Sequence, residues 1–260
     1  MNMEKKFELT DNFIINAFGV KLFQIKCTKS FKYAKEGDLG GYVEKDENLD
    51  QESDAWVYGN ARVSGNAEVS GNARVYGNAE VYGNAWVYGD ARVYGDARVS
   101  GDARVSGDAW VSGDARVSDN ARVSGNAWVS GDAWVSSNAW VSDNAWVSDN
   151  ARVSGNARVS DNARVSGDAR VYGDARVSGD ADIENDNEHC GFDGFGSCNR
   201  HTHAYMTKEK KVEIICGCFR GSIEEFEKKV EETHSGTVYE KQYKSIINVI
   251  KIKFGLTDFT

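Results

Sequence analysis

Proline is absent from all 260 residues, and no apolar run approaches the roughly 20 residues that span a bilayer. The opening MNMEKKFELT has no apolar core of signal-peptide length, so a soluble, cytoplasmic chain with no membrane partner is expected. A basic excess is missing too. Net charge is −9, and segments 1–54, 55–182 and 183–260 carry 8, 12 and 11 basic against 11, 16 and 13 acidic side chains. Phosphate neutralisation supplies most non-specific nucleic-acid affinity, so a chain acidic throughout is not expected to bind nucleic acid. Cysteine is scarce and uneven: Cys27 is alone, while Cys190, Cys198, Cys216 and Cys218 cluster near the C-terminus. That distribution is no disulfide framework. Between Ala55 and Asp182 there is neither cysteine nor histidine, which removes the side chains that usually serve as general base or nucleophile.

That same stretch is a repeat. Valine recurs at every sixth position from Val57 to Val177, Ile183 continues the series, and alanine precedes each by two, giving 22 hexads. A period of six matches neither a helix at 3.6 nor one long strand at 2. Within Ala-x-Val the first and third side chains share a face and point inward, while the middle one points out. The Gly-Asn or Gly-Asp pair that follows turns a corner, since glycine takes positive φ freely and Asn or Asp tolerates it. Three such sides close a coil of 18 residues, and stacked coils pair their backbones in parallel. The expected fold is mainly β: a left-handed parallel β-helix over residues 55–184, a β-rich N-terminal cap over 1–54 and a small α+β domain over 185–260.

The outward position of the hexads holds all seven tryptophans and twelve arginines. Residues 18 apart lie on one side, so Trp110, Trp128 and Trp146 form a ladder, with Trp134 and Trp140 on the other two sides. Such a girdle either covers the prism through cation–π contacts or presents an interface, with a homo-oligomer as the expected form. Asp96, Asp114 and Asp132 stack at one corner. They suit either a cation such as Ca²⁺ or, the favoured reading, neutralisation by Arg98 and Arg116.

At the N-terminal end, Phe7 to Leu9, Phe13 to Ala17 and Val20 to Lys26 alternate as short strands, and the chain enters the prism at Gly40-Gly41. At the C-terminal end, His203 to Thr207 and Lys211 to Cys216 read as a hairpin. A helix begins at Ser222 with the capping box Ser222/Glu225, and a second runs from Tyr239 to Phe254. The chemically rich residues gather in this last domain. Cys198, His201, Cys216 and Cys218 are candidate zinc ligands, although their spacing is that of no known finger. Cys218 as nucleophile and His234 as base are candidate catalytic groups. Asn199, Arg200, Arg220 and Ser222 are candidates for a small anionic or nucleotide ligand, because the helix opening at Gly221-Ser222 points N–H groups and a dipole at an anion.

The motif Val-x-Gly-Asn/Asp-Ala-x resembles the hexapeptide signature of the left-handed β-helix family. Acyltransferases of that family have a catalytic histidine near the coils and loops that interrupt them, and this sequence has neither feature. The segment FKYAKEGDLGGYV with Trp56-Val57-Tyr58 is similar to the opening of hexapeptide-repeat proteins of the YdcK type, transferase-like proteins without an assigned substrate, and of similar phage and prophage proteins. The runs SCNRHT and GCFRGS, followed by Glu232-Thr233-His234, are similar to a C-terminal module on such phage proteins. The resemblance implies a non-catalytic scaffold or binding protein of phage or prophage origin, acting in the host cytoplasm, whose prism spaces a C-terminal recognition module or oligomerises. Its partner would be a host protein or a small anionic ligand, and no cofactor is expected apart from the zinc weighed above. The alternative is an enzyme of hexapeptide-transferase ancestry, with its site moved to Arg200, Cys218 and His234.

Overall fold

The computed structural model describes residues 5–256. Strands β1 (Phe7–Ile15), β2 (Lys21–Cys27) and β3 (Leu39–Val43) precede 22 two-residue strands, β4 (Trp56–Val57) to β25 (Asp182–Ile183), one per hexad. These line up in three sheets, each strand pairing in parallel with the strand three along, 18 residues away, as Val93 does with Val75 and Val111. The protein is thus a parallel β-solenoid of 18-residue turns. Arg104 N–H donates to the Ala121 carbonyl and Ser106 N–H to the Val123 carbonyl, both at 2.9 Å, and this pattern repeats up the stack. Within the 22 hexads every inward valine and Ile183 is fully buried, and no inward alanine is more than 3% exposed. Each buried valine contributes about 1.5–3 kcal/mol of apolar transfer energy.

The coils begin earlier than the hexads do. β3 pairs in parallel with the strand at Arg62–Val63, and Leu49 forms a parallel bridge to Val69, so Val43 and Leu49 already take inward places. Gly40 and Gly41 are required there by contact: a Cβ on Gly41 would lie 2.6 Å from the Ala61 carbonyl oxygen, and one on Gly40 2.7 Å from that of Val57. At most corners a glycine sits in the left-handed region, while Asp119, Ser137, Asp143, Asp149 and Asp161 occupy it at φ between 56° and 59°. The carboxylates of Asp119 and Asp161 accept the corner N–H of the next coil, Ser137 and Gly179 respectively, each at 3.0 Å.

At the N-terminus β1 and β2 form an antiparallel hairpin that extends one face of the prism. The two apolar runs expected as separate strands are one strand, because Thr10-Asp11-Asn12 makes a bulge rather than a turn. Phe7 and Phe31 close over Trp56, with ring centroids 6.4 and 5.4 Å away. Trp56 is therefore buried, unlike the other tryptophans of the outward row.

The C-terminal end is closed by a four-stranded antiparallel sheet, β26 (His189–Phe195), β27 (Arg200–Met206), β28 (Val212–Cys216) and β29 (Phe219–Ser222), in that order. Helices α1 (Ile223–His234) and α2 (Val238–Lys253) follow. Alternation splits the sheet's side chains by face. Ala204, Ile214 and Cys216 pack with Phe226, Ile247 and Ile250 of the helices. Tyr205 and Ile215 belong instead to the core of the prism. The sheet thus caps the last coil on one face and carries the helices on the other. Ser222 caps α1 as expected, its hydroxyl accepting from Glu225 N–H while the Glu225 carboxylate accepts from Ser222 N–H.

Candidate functional site

Three of the four histidines meet where the sheet sits on the last coil. His203 is buried: its Nδ1 donates to the Arg176 carbonyl at 2.9 Å, which leaves Nε2 to accept from His189 Nδ1 at 3.1 Å. Burial pushes the His203 pKa down to about 3 and lowers that of His189 as well, against the pull of Asp186. His201, two residues along β27 on the same face, holds the Asp193 carboxylate with Nδ1 at 2.6 Å. The Nε2 atoms of His189 and His201 are buried without a hydrogen-bond partner. Tyr205 completes the row, its hydroxyl donating to the Ser178 carbonyl at 3.2 Å.

Two cavities flank this row and share His201 and His203 as a wall. The larger, of about 420 Å³, is lined by Arg158 and Arg176 from the prism, by Cys198 and Asn199 from the β26–β27 turn and by Arg200 at the start of β27, with Asp174 as its one carboxylate. Arg158 and Arg176 are register partners on successive coils. Asp174 already accepts from Asn156 at 2.9 Å. The smaller, of about 270 Å³, adds His189, Asp186 and Asp193.

The structure brings Asn199 and Arg200 into the larger cavity and sends Arg220 and Ser222 elsewhere. Arg220 is bound by the Glu213 carboxylate, with Asp161 at 3.7 Å, and Ser222 donates its hydroxyl to Glu224 at 2.8 Å. Three carboxylates, from Glu213, Glu224 and Glu225, thus occupy the anion position expected at the start of α1. The expected zinc ligands also part. Period-two alternation turns His201 to the prism and Cys216 to the helices, where Thr202 donates to its Sγ at 3.2 Å. Cys198 and Cys218 are exposed. Among the described residues no three His, Cys, Asp or Glu side chains form a metal-holding group, and this includes Asp96, Asp114 and Asp132.

Arg98, expected to neutralise that aspartate corner, pairs instead with Glu80 at 3.7 Å, which Arg62 also holds at 2.9 Å. The reason is register: outward residues meet the outward residue of the next coil before they reach a corner. Cys218 lies in the β28–β29 turn, while His234 stacks on Tyr243 at the end of α1, and no hydrogen bond among the described residues joins them. Burial pushes the Cys190 thiol up to about 11, a direction opposite to activation.

The tryptophans lie along the prism walls. Trp128 stacks on Trp146 and meets Trp110 edge to face, each pair at a centroid spacing of 5.2 Å, and Trp134 and Trp140 occupy the other two sheets. Each of Trp128, Trp134, Trp140 and Trp146 donates its indole N–H to a serine on the coil before. Arginines lie over Trp110, Trp134, Trp140 and Trp146 at 4.5 to 6.0 Å. Trp134 and Trp140 nonetheless remain about 40% exposed.

The class is that of a parallel β-solenoid closed at its C-terminal end by a helix-backed sheet, with a histidine row at the seam. Its coils carry the YdcK beta-solenoid repeat: that family model matches residues 55–71, 67–83, 73–89, 91–103, 97–113, 115–131, 145–160, 151–167, 157–171 and 169–181. A comparison with curated proteins finds no match to the chain. No helix among the described residues is long and apolar enough to cross a membrane.

Proposed function

We propose that the protein is a non-catalytic scaffold and binding protein, in which the solenoid is a rigid spacer and the C-terminal sheet with its helices is the recognition module. The observation that carries this reading is the way the module is fixed: His203 and Tyr205 anchor one sheet face to main-chain carbonyls of the last coil. A module held by backbone contacts keeps its orientation. The absence of a hydrogen bond between Cys218 and His234 weighs against acyl transfer by a nucleophile–base pair. Phage or prophage origin, a cytoplasmic location and self-association through the tryptophan walls belong to the same proposal. The test is incubation of the full chain with acyl donors and nucleotides, followed by recovery of each compound. Recovery unchanged is expected, and turnover of an acyl donor that Cys218→Ser or His234→Ala abolishes would overturn the reading in favour of a transferase.

A further inference from the structure

The larger seam cavity has no role as a spacer. Arginine pairs recur along the open walls of the prism, as at Arg104 and Arg122, but beside Arg158 and Arg176 the C-terminal domain adds a third guanidinium, Arg200, and the three line one open cavity with their side chains exposed. Among the described residues neither Arg176 nor Arg200 makes a side-chain hydrogen bond or ion pair, and Arg158 meets only the Trp140 ring, at 5.6 Å. Like charges brought together at adjacent strand positions repel one another. The only facing carboxylate, Asp174, is shared with Asn156. His201 stands on the wall that this cavity shares with the smaller one, its Nδ1 already engaged with the Asp193 carboxylate.

We infer that this cavity binds a phosphoryl group, with Arg158, Arg176 and Arg200 as its charge-matching donors. The inference rests on the binding-protein reading and names the ligand class. A dianion suits a cavity lined by three guanidinium groups and one carboxylate, and guanidinium forks match the spacing of phosphate oxygens. No tryptophan, tyrosine or phenylalanine lines the cavity, so it lacks the large aromatic platforms on which nucleobases stack most strongly. The recognised chemistry is the phosphoryl group itself, either as free phosphate or as the ester of a small polar alcohol.

Calorimetric titration of the full chain tests it with sodium phosphate, glycerol 3-phosphate and adenosine monophosphate, and with sodium acetate as the monoanion control. Saturable phosphate binding is expected, weakened about tenfold or more by Arg176→Gln and by Arg200→Gln. Arg220→Gln, whose guanidinium is already held by Glu213, should leave it unchanged. Tighter binding of the glycerol ester than of free phosphate would identify an ester as the occupant, whereas equal binding of all three would identify the bare phosphoryl group. No binding up to about 10 mM phosphate overturns the inference, as does binding that the Arg176 and Arg200 variants leave intact. Loss on Arg220→Gln alone would move the site to the start of α1 and overturn it too. None of these outcomes touches the turnover assay, which tests the binding-protein reading separately.

Discussion

At the residue scale, the hexad assigns each position one task, and substitution costs differ accordingly. Midway along the prism the inward valine sits where the tube is lined by valine and alanine, so a polar atom there has no side-chain partner to find. Val129→Asn buries an unsatisfied amide and should cost about 3 kcal/mol or more, read as a lowered midpoint in urea. The corner position works differently. Ser137 is held at φ 59°, where a side chain is disfavoured by roughly 1 kcal/mol, yet only its backbone N–H is used, by Asp119. Ser137→Gly keeps that bond and removes the strain, so a rise in stability of about 0.5–1 kcal/mol is expected. A lowered melting temperature in Ser137→Gly would contradict this account of the corner. At Gly95 the sign reverses, because a Cβ there would meet the Gly113 nitrogen at 3.0 Å while φ is 73°.

At the element scale, the seam between sheet and prism titrates. His203 stays neutral in the folded chain down to about pH 3, whereas the same imidazole in the unfolded chain takes up a proton below its ordinary 6.5. Between those values the unfolded state binds more protons, so stability falls as pH drops, by about 1.4 kcal/mol per pH unit for each such group. His189 acts in the same direction, opposed by Asp186, with Asp193 on His201 and Arg176 and Lys253 as the neighbouring charges. Unfolding followed at pH 7 and pH 5 should show the loss in the native chain and a smaller one in His203→Gln. An identical loss in both would place the titration elsewhere. This seam also marks where the sequence stops being legible. His201, His203 and Tyr205 alternate in a pattern that gives a strand, but nothing in it says which face meets the prism. Arg158 and Arg176 stand in hexads indistinguishable from their neighbours, so only the cap's position singles them out. The early coil is hidden for a related reason: Leu49 has Glu47 rather than alanine two residues before it, and eight residues rather than six separate it from Val57. By contrast, the Ala-x-Val rhythm was enough to place every inward side chain from Ala55 to Ile183, because in a tube this narrow only small and branched side chains fit.

At the scale of the whole molecule, the solenoid is close to one-dimensional: each coil touches the coils above and below, and its stability is a sum over neighbours. Near-identical hexads make the register, not the particular coil, the quantity that must be preserved. Removal of residues 109–126 joins Asp108 to Ala127, keeps the hexad phase and returns every later strand to its own face. That chain should fold with both caps seated and be shorter by one coil spacing of about 4.8 Å, measurable by small-angle scattering. Removal of residues 109–114 keeps the hexad phase but moves each later strand to the next face, so the C-terminal module should point about a third of a turn away from its native direction while the stack survives. Removal of five residues, 109–113, is different in kind. It leaves Asp114 directly after Asp108 and puts one surplus residue into a corner, so the valines beyond it either leave the interior or force a distorted side into the stack. A marked fall in stability is expected for the five-residue deletion and not for the eighteen-residue one. If the two deletions destabilised the protein equally, the coils would not be interchangeable units, and the spacer role would lose its physical basis.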